Sequence, residues 1–246
     1  MKRTIKEVNT DAFNLSISDL MAGLLAIFIF ILCYYILTFN AMKKDYEGNN
    51  QLRQEMLVEL KENLKKEDII VEIEEDKGVL HLPEGSVFFR TSDDRSNADG
   101  ERVIRKLAGA IRETITNEKY REKIGTIFIE GHTDDVRQWG IASEKEFDAY
   151  NWGLSTRRAI YTWEIMSQAE EELISFANKD GDYVFSCSGY GPTRPRDLRY
   201  KSAEASADVI RESRKANRRI DIRFTMILPK DDKNLGNSVK EQMVNE

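Results

Sequence analysis

The sequence predicts an α+β protein that begins with one membrane-spanning helix, and three observations lead to this prediction. The first is an apolar run without charged residues, from Leu20 to Met42. The second is a series of short downstream segments in which apolar residues alternate, which is the pattern of β-strands. The third is that segments with helical spacing lie between these strands. Such an order gives a sheet with helices packed on one face.

Composition narrows the possible classes of function. The chain has 246 residues, a net charge of −6 and two cysteines. The negative charge argues against a nucleic-acid binder, which normally carries a basic patch. Cys33 and Cys187 lie far apart in the sequence, and they indicate neither a disulfide framework nor a paired-cysteine metal motif.

The apolar run "SISDLMAGLLAIFIFILCYYIL", residues 16–37, is long enough to cross a bilayer. About 20 helical residues span a hydrocarbon core of about 30 Å. A cleaved signal peptide fits poorly, because the run exceeds a signal core and "TFNAMKK" offers no small-residue cleavage site. We therefore predict a transmembrane helix over residues 13–42, preceded by a short N-terminus, residues 1–12. Basic residues flank both ends, so charge gives only a weak indication of orientation.

Asp19, at the start of this run, has two interpretations. Ser16 and Asp19 have the spacing of a helix capping box, and a carboxylate suits the positive end of a helix dipole. Alternatively, the span begins near Phe13 and carries Asp19 inside the membrane. An ionisable group there normally faces a protein partner or a water path. The local sequence leaves both interpretations open.

Residues 43–67 are predicted to form an amphipathic linker that follows a helix break at "GNN". Apolar residues recur every four positions on one face, at Leu52, Met56, Leu60 and Leu64. Three arrangements are open: the face packs on its own domain, pairs with a second copy, or plugs a channel beside the span.

Residues 68–228 are predicted to form the α+β domain. "IIVEIEEDKGVLHLP" alternates on both sides of a turn and predicts a hairpin. Strands are predicted at "IGTIFIEGHTDD", at "YVFSCSGYG", and at "NRRIDIRFTMI" with Ile220, Ile222, Phe224 and Met226 facing inward. The polar tail, residues 229–246, is predicted to be disordered.

Two helices are predicted between these strands. The first, "ERVIRKLAGAIRETI", has an apolar face formed by Ile104, Leu107, Ala108, Ile111 and Ile115. The second, "NWGLSTRRAIYTWEIMSQ", is expected to be buried along Leu154, Ile160 and Trp163.

Four motifs in this region, "IEGHTDD", "NWGLSTRRA", "SGYGPTRP" and "NRRIDIRF", resemble in their order the OmpA-like peptidoglycan-binding domain. The resemblance implies that Asp134 binds the ammonium and Arg158 the carboxylate of a diaminopimelate-type stem peptide. Arginine suits this role because its planar fork binds a carboxylate with two hydrogen bonds. Asn151 would add hydrogen bonds, and Tyr150 and Leu154 would form apolar walls. The loop between Asp134 and Asn151 is longer than the family pattern.

Other interpretations of these motifs are weaker. Asn151 also occupies a position suited to a helix N-cap. Glu130, His132 and Asp134 alternate along a strand and would share one face, but the resemblance explains His132 structurally, so no metal site is predicted. Ser155 lacks the setting of a hydrolase nucleophile, and we predict neither an enzyme nor a cofactor. Arg218 and Arg219 alternate across the last strand, so at most one faces the site.

The combination of a span with Asp19, an amphipathic linker and this domain resembles a MotB-type stator subunit. The resemblance implies an inner-membrane motor in which Asp19 carries the translocated ion and the domain holds peptidoglycan. The N-terminus would be cytoplasmic and the domain periplasmic. The implied partners are a second copy of the chain and a larger multi-span, ring-forming subunit.

The short N-terminus and "SDLMAGLLAIFIF" resemble the ZorB subunit of the Zorya anti-phage defence system. An aspartate alone favours H⁺ as the ion, although a nearby hydroxyl such as Ser18 would help to coordinate Na⁺. A flagellar-type motility stator and a passive wall tether are the alternatives.

Overall fold

A computed structural model describes residues 10–84, 89, 93–137, 140–141 and 143–227, with the backbone alone for residues 10–16. The described helices are α1 (Thr10–Lys66), α2 (Ala98–Thr116), α3 (Glu118–Arg121), α4 (Glu144–Ala169), α5 (Glu172–Ser175) and α6 (Ala207–Asn217). The strands are β1 (Glu72–Glu74), β2 (Val79–Pro83), β3 (Ile124–His132), β4 (Phe185–Gly189) and β5 (Arg219–Met226). The predicted disordered tail and residues 1–9 lie outside the described residues.

The described chain divides into two compact units, with the boundary between Glu47 and Gly48. In the first unit, α1 carries the apolar run, and its large apolar side chains are exposed, among them Leu24, Phe28 and Phe30. By length and composition, this is a helix able to cross a membrane.

The predicted helix break at "GNN" does not occur, because α1 continues without interruption to Lys66. The two asparagines find partners that suit a helix here. Asn49 donates to the carbonyl of Ile227 at 3.0 Å, and Asn50 accepts a hydrogen bond from Arg53 one turn later. The tertiary contacts therefore override the weak helix propensity of this stretch.

The last part of α1 packs against its own domain, which is the first of the three arrangements considered for the linker. Met56, Leu57, Leu60 and Leu64 are fully buried in the core of the second unit. Tyr120 adds a hydrogen bond from its hydroxyl to Glu59 at 2.6 Å. The compact domain therefore begins at Gly48, ahead of the predicted boundary at residue 68.

The second unit contains a five-stranded sheet in the order β1-β2-β5-β3-β4. Only β3 and β4 are parallel to each other among the paired strands. Alternate residues of β5, namely Ile220, Ile222 and Phe224, face the core as predicted, and Met226 is partly exposed at the strand end. All five predicted core residues of α2 are fully buried.

Helices α4 and α6 also differ from the sequence prediction. Ile160 is 42% exposed rather than buried, because Ala159 and Thr162 occupy the inward positions of that turn of α4. Helix α6 was not predicted, because its buried residues are Ser213 and Asn217 and it therefore has no apolar stripe.

Candidate functional site

Three of the sequence motifs meet where α4 lies against the ends of β3 and β4. A Cβ atom at Gly131 would overlap the Ser155 carbonyl, and one at Gly189 would overlap the backbone of Thr156. The Ser155 hydroxyl accepts a hydrogen bond from the Gly191 N–H at 2.9 Å. The two strand glycines therefore allow α4 to approach the sheet closely, which positions its side chains beside the loop after β3.

Asp134, in the loop after β3, pairs with Arg218, which lies between α6 and β5. Its Oδ1 accepts from the Val136 N–H at 3.2 Å, and its Oδ2 accepts from the Arg218 guanidinium. Arg218 also holds Glu84 in a bidentate pair, with distances of 2.9 Å and 2.7 Å. Burial would lower the pKa of Arg218, but the hydrogen bonds to Glu84 and Asp134 raise it above its ordinary value.

Arg158 lies in the same cluster, with 4% of its surface exposed. Its Nε donates to the Asp93 carbonyl at 2.9 Å, and its guanidinium carbon lies 5.0 Å from the Phe89 ring centre. Burial lowers the pKa of Arg158, and the nearby Glu84 carboxylate acts in the opposite direction. Asp134 and Tyr150 also raise the pKa of Arg158, and Arg218 lowers it. Asp134, Tyr150 and Arg158 therefore lie close enough to interact electrostatically.

The four charged residues Glu84, Asp134, Arg158 and Arg218 are called the Arg218 cluster below. The sequence predicted two of its members as binding residues. It could not identify Glu84, which lies 134 positions from Arg218 and reaches it only through the fold. Arg218 was one of two alternatives on the last strand, and Arg219 instead pairs with Asp221 at 2.9 Å.

The remaining predicted site residues lie on α4. Asn151 is buried, and its side-chain amide donates to the Phe147 carbonyl at 3.0 Å. It is not an N-cap, because α4 begins earlier and Ser143 forms a capping box with Glu146. Leu154 is 4% exposed, and Tyr150 is half-buried.

The strand triplet considered for metal binding is separated by the fold. Glu130 and His132 lie together with Asp221, and their ligand atoms all fall within 4.8 Å of one another. Asp134 pairs with Arg218 instead. Both carboxylates of this group are engaged by arginines, Asp221 by Arg219 and Glu130 by Arg223.

Asp19 lies in the other compact unit, within α1. The helix begins at Thr10, more than two turns before Asp19. Ser16 is therefore inside the helix, and the capping-box interpretation of Ser16 and Asp19 is wrong. The Asp19 side chain is exposed on the surface of the helix.

Neither a family profile nor a curated protein sequence matches this chain. Among solved structures, it is similar to a MotB-like protein from Desulfovibrio vulgaris, with 18% identity, a TM-score of 0.51, and coverage of 74% of this chain and 98% of that chain. The periplasmic domain of Helicobacter pylori MotB aligns at 22% identity and a TM-score of 0.41, covering 68% and 82%. The OmpA-like domain of FopA1 from Francisella tularensis aligns at 19% identity and a TM-score of 0.36, covering 64% and 81%. The predicted fold class, one long apolar helix followed by an α+β domain, is confirmed, and the domain has the fold of the Desulfovibrio vulgaris MotB-like protein.

Proposed function

We propose that this chain is the wall-anchored subunit of an ion-driven rotary motor in the bacterial inner membrane. One observation carries the proposal: a helix able to cross a membrane, with Asp19 as its single acid over residues 13–42, precedes a domain with the fold of a MotB-like protein. A span with one acid provides a site for ion transfer. A domain fixed to the wall would hold that span still while a partner turns.

The Arg218 cluster supports peptidoglycan as the ligand of the domain. A diaminopimelate-type stem peptide presents an ammonium beside a carboxylate. Arg158 would bind the carboxylate through its planar fork. Asp134 would bind the ammonium while it remains hydrogen-bonded to Arg218, since a carboxylate accepts up to about four hydrogen bonds.

Wall binding is tested by pull-down of the purified chain on peptidoglycan. Arg158→Ala should reduce the retained fraction at least about ten-fold, because it removes a charge-assisted hydrogen-bond donor. Arg157→Ala is the matched control, since that neighbouring side chain is exposed and pairs with Asp94 at 2.9 Å. Circular dichroism should show both variants to be folded. Binding by Arg158→Ala equal to that by Arg157→Ala would place the ligand elsewhere.

Ion transfer is tested by Asp19→Asn, which keeps the size of the side chain and removes its charge. The variant should co-purify with a multi-span partner and with a second copy of the chain, yet support no ion flux in proteoliposomes. Asp45→Asn is the control, because Asp45 is exposed on α1 beyond the apolar run. We propose H⁺ as the ion, and flux that depends on Na⁺ would contradict this choice. Normal ion flux with the Asp19→Asn variant would show that Asp19 does not carry the translocated ion.

The most specific part of the proposal is the biological role of the motor. We propose anti-phage defence of the Zorya type, supported by the resemblance of "SDLMAGLLAIFIF" to that system's smaller subunit. Deletion of the gene should then abolish protection against phage and leave swimming intact. The opposite result would indicate a flagellar-type motility stator. Purification in mild detergent without a multi-span partner would indicate a passive tether.

A further inference from the structure

The two outer strands of the sheet, β1 and β4, differ in how their free edges are protected. Strand β1 has only three residues, and two of them, Glu72 and Glu74, are charged. Short length and charge commonly protect an edge strand from pairing with another chain. Strand β4 has five residues and contains neither a charged residue nor a proline. Its outer side, called the β4 edge below, therefore lacks this protection.

The β4 edge carries backbone groups that have no partner. The hydrogen bonds between β3 and β4 run from the Val184 carbonyl to the Tyr190 N–H, so the ladder uses the even-numbered residues of this segment. The backbone groups of the odd-numbered residues point away from β3. These are the N–H and C=O groups of Phe185, Cys187 and Gly189, and they form no hydrogen bond with any residue that the structure describes.

Exposed apolar side chains border the β4 edge on the side of α4. The ring of Trp163 on α4 stacks on Phe185, with 4.7 Å between the ring centres. Tyr183, two residues before Phe185, is 72% exposed. Ile160, one helical turn before Trp163, is the residue that was predicted to be buried and is instead exposed. An apolar patch beside an unpaired strand indicates a protein interface.

A strand that fits the β4 edge has the residue pattern of β4 itself. An added strand places every second side chain against the apolar patch and the others on the opposite face of the sheet. In β4, Phe185 and Cys187 face α4, and the small polar Ser186 and Ser188 face the other way. A second copy of β4 would therefore match both faces. It also brings no charge to the edge, although the whole chain has a net charge of −6.

We propose that two copies of the domain pair through their β4 edges, antiparallel about a two-fold axis at Cys187. Cys187 then lies opposite Cys187 of the partner subunit, and Phe185 lies opposite Gly189 of the partner subunit. Every outward-pointing residue becomes part of a pair that exchanges two hydrogen bonds. The two α4 helices lie side by side, which removes Ile160 and Trp163 from water. The proposal rests on the second copy named in the proposed function and adds the surface through which the two domains meet.

Disulfide cross-linking of the full chain in detergent micelles tests this register. Ser186 would lie opposite Ser188 of the partner subunit in a pair without direct hydrogen bonds, with about 4.5 Å between the Cα atoms. Cysteines at this separation can form a disulfide. With Cys33→Ala and Cys187→Ala as the background, the double variant Ser186→Cys, Ser188→Cys should form a covalent dimer on mild oxidation. Within one copy the two side chains are about 6.8 Å apart along the strand, too far for a disulfide.

The two single variants in the same background are the matched controls. Ser186→Cys alone would lie diagonally across from its counterpart, at about 7–8 Å, and the same holds for Ser188→Cys alone. Neither separation suits a disulfide, so both single variants should run as monomers on a non-reducing denaturing gel. A dimer band in the double variant that is no stronger than in the single variants would overturn the proposal.

The apolar patch is tested by adding Ile160→Glu to the double variant. Ile160 is exposed in the single copy, so the domain should fold, but two like charges would meet in the interface and reduce the yield of covalent dimer at least about ten-fold. Val58→Glu is the matched control, because Val58 is also 42% exposed and lies on α1. It should leave the yield unchanged. Circular dichroism should show both proteins to be folded, and equal yields in the two would overturn the proposal.

The cross-linking result is separable from the tests of the proposed function, because it needs neither ion flux nor wall. Co-purification of two copies without a covalent dimer would keep the second copy and reject the β4 edge as its contact. A covalent dimer of a chain that supports no ion flux would keep the β4 pairing and reject the motor. In cell membranes, a disulfide from the double variant to another protein, without a dimer, would assign the β4 edge to that protein and overturn the proposal.

Discussion

The guanidinium of Arg218 binds the carboxylate of Asp134, the residue expected to receive a ligand ammonium. The same guanidinium holds Glu84, so one cation compensates two largely buried carboxylates. Asp134 is therefore oriented before any ligand arrives. It follows that Arg218 acts on both the stability of the domain and the geometry of the candidate site.

Replacement of Arg218 with Gln should lower the free energy of unfolding by about 2 kcal/mol. Breaking a buried ion pair costs about 3–5 kcal/mol, and the partial exposure of these side chains reduces that cost. Urea unfolding of the purified chain measures it, with tryptophan fluorescence as the signal. All three tryptophans lie at positions 139–163, so they report on the domain.

Two controls sharpen this measurement. Arg211→Gln breaks an exposed pair with Asp208 and should cost less than about 0.5 kcal/mol. Adding Glu84→Gln to Arg218→Gln should restore part of the lost stability, because one uncompensated carboxylate disappears. If the Arg218 variant lost no more stability than the Arg211 variant, the cluster would not contribute to folding.

The sequence predicted those parts of this arrangement that depend on local periodicity. The alternation of Ile220, Ile222 and Phe224 located the last strand and its inward face, because a strand half-buried on one side has a period of two. The five core residues of α2 were found for the same reason, with a period of 3.6.

Features that depend on tertiary contacts could not be predicted in this way. Glu84 joins the site through a contact across 134 positions. Helix α6 carries buried Ser213 and Asn217. Their side chains accept hydrogen bonds from backbone N–H groups of the 196–200 loop and do not form an apolar face. The continuation of α1 through Gly48 depends on contacts of the neighbouring asparagines. Each of these signals is absent from the local pattern of apolar residues.

Gly131 and Gly48 should respond oppositely to substitution with alanine. Gly131→Ala should cost about 3 kcal/mol, because the new Cβ would overlap the Ser155 carbonyl and push α4 from the sheet. Gly48→Ala should stabilise by about 0.5–1 kcal/mol, because it lies in a helix with open space around it. Urea unfolding of the two variants measures both effects. Destabilisation by Gly48→Ala would mean that the helix breaks there, as the sequence suggested.

The last part of α1 should behave as part of the domain core. Leu60 is fully buried, so Leu60→Ala should lower the free energy of unfolding by about 3 kcal/mol. Val58→Ala is the matched control on the same turn, since Val58 is 42% exposed, and it should change stability by less than about 0.5 kcal/mol. Equal small effects in the two variants would show that residues 48–66 form a detached linker.

Acidification should destabilise the domain in two separate stages. Burial holds the pKa of His132 below its ordinary value near 6.5. Below pH 6.5 the unfolded chain therefore binds a proton at His132 that the folded domain does not bind, and the free energy of unfolding falls. Burial would raise the pKa of Asp221, but hydrogen bonds from His132 and His81 and the charge of Arg219 outweigh it and lower that pKa. The stability that Asp221 contributes is therefore present above about pH 4 and is lost only below it.

The first stage can be isolated between pH 7 and about pH 5, where Asp221 is almost fully ionised in both states. Each proton taken up only by the unfolded chain lowers the free energy of unfolding by at most about 1.4 kcal/mol per pH unit. Urea unfolding at several pH values gives the slope for the wild type and for His132→Gln. The variant should have a flatter slope across this range, because it lacks the titrating group. An identical slope in both proteins would assign the acid sensitivity to other residues.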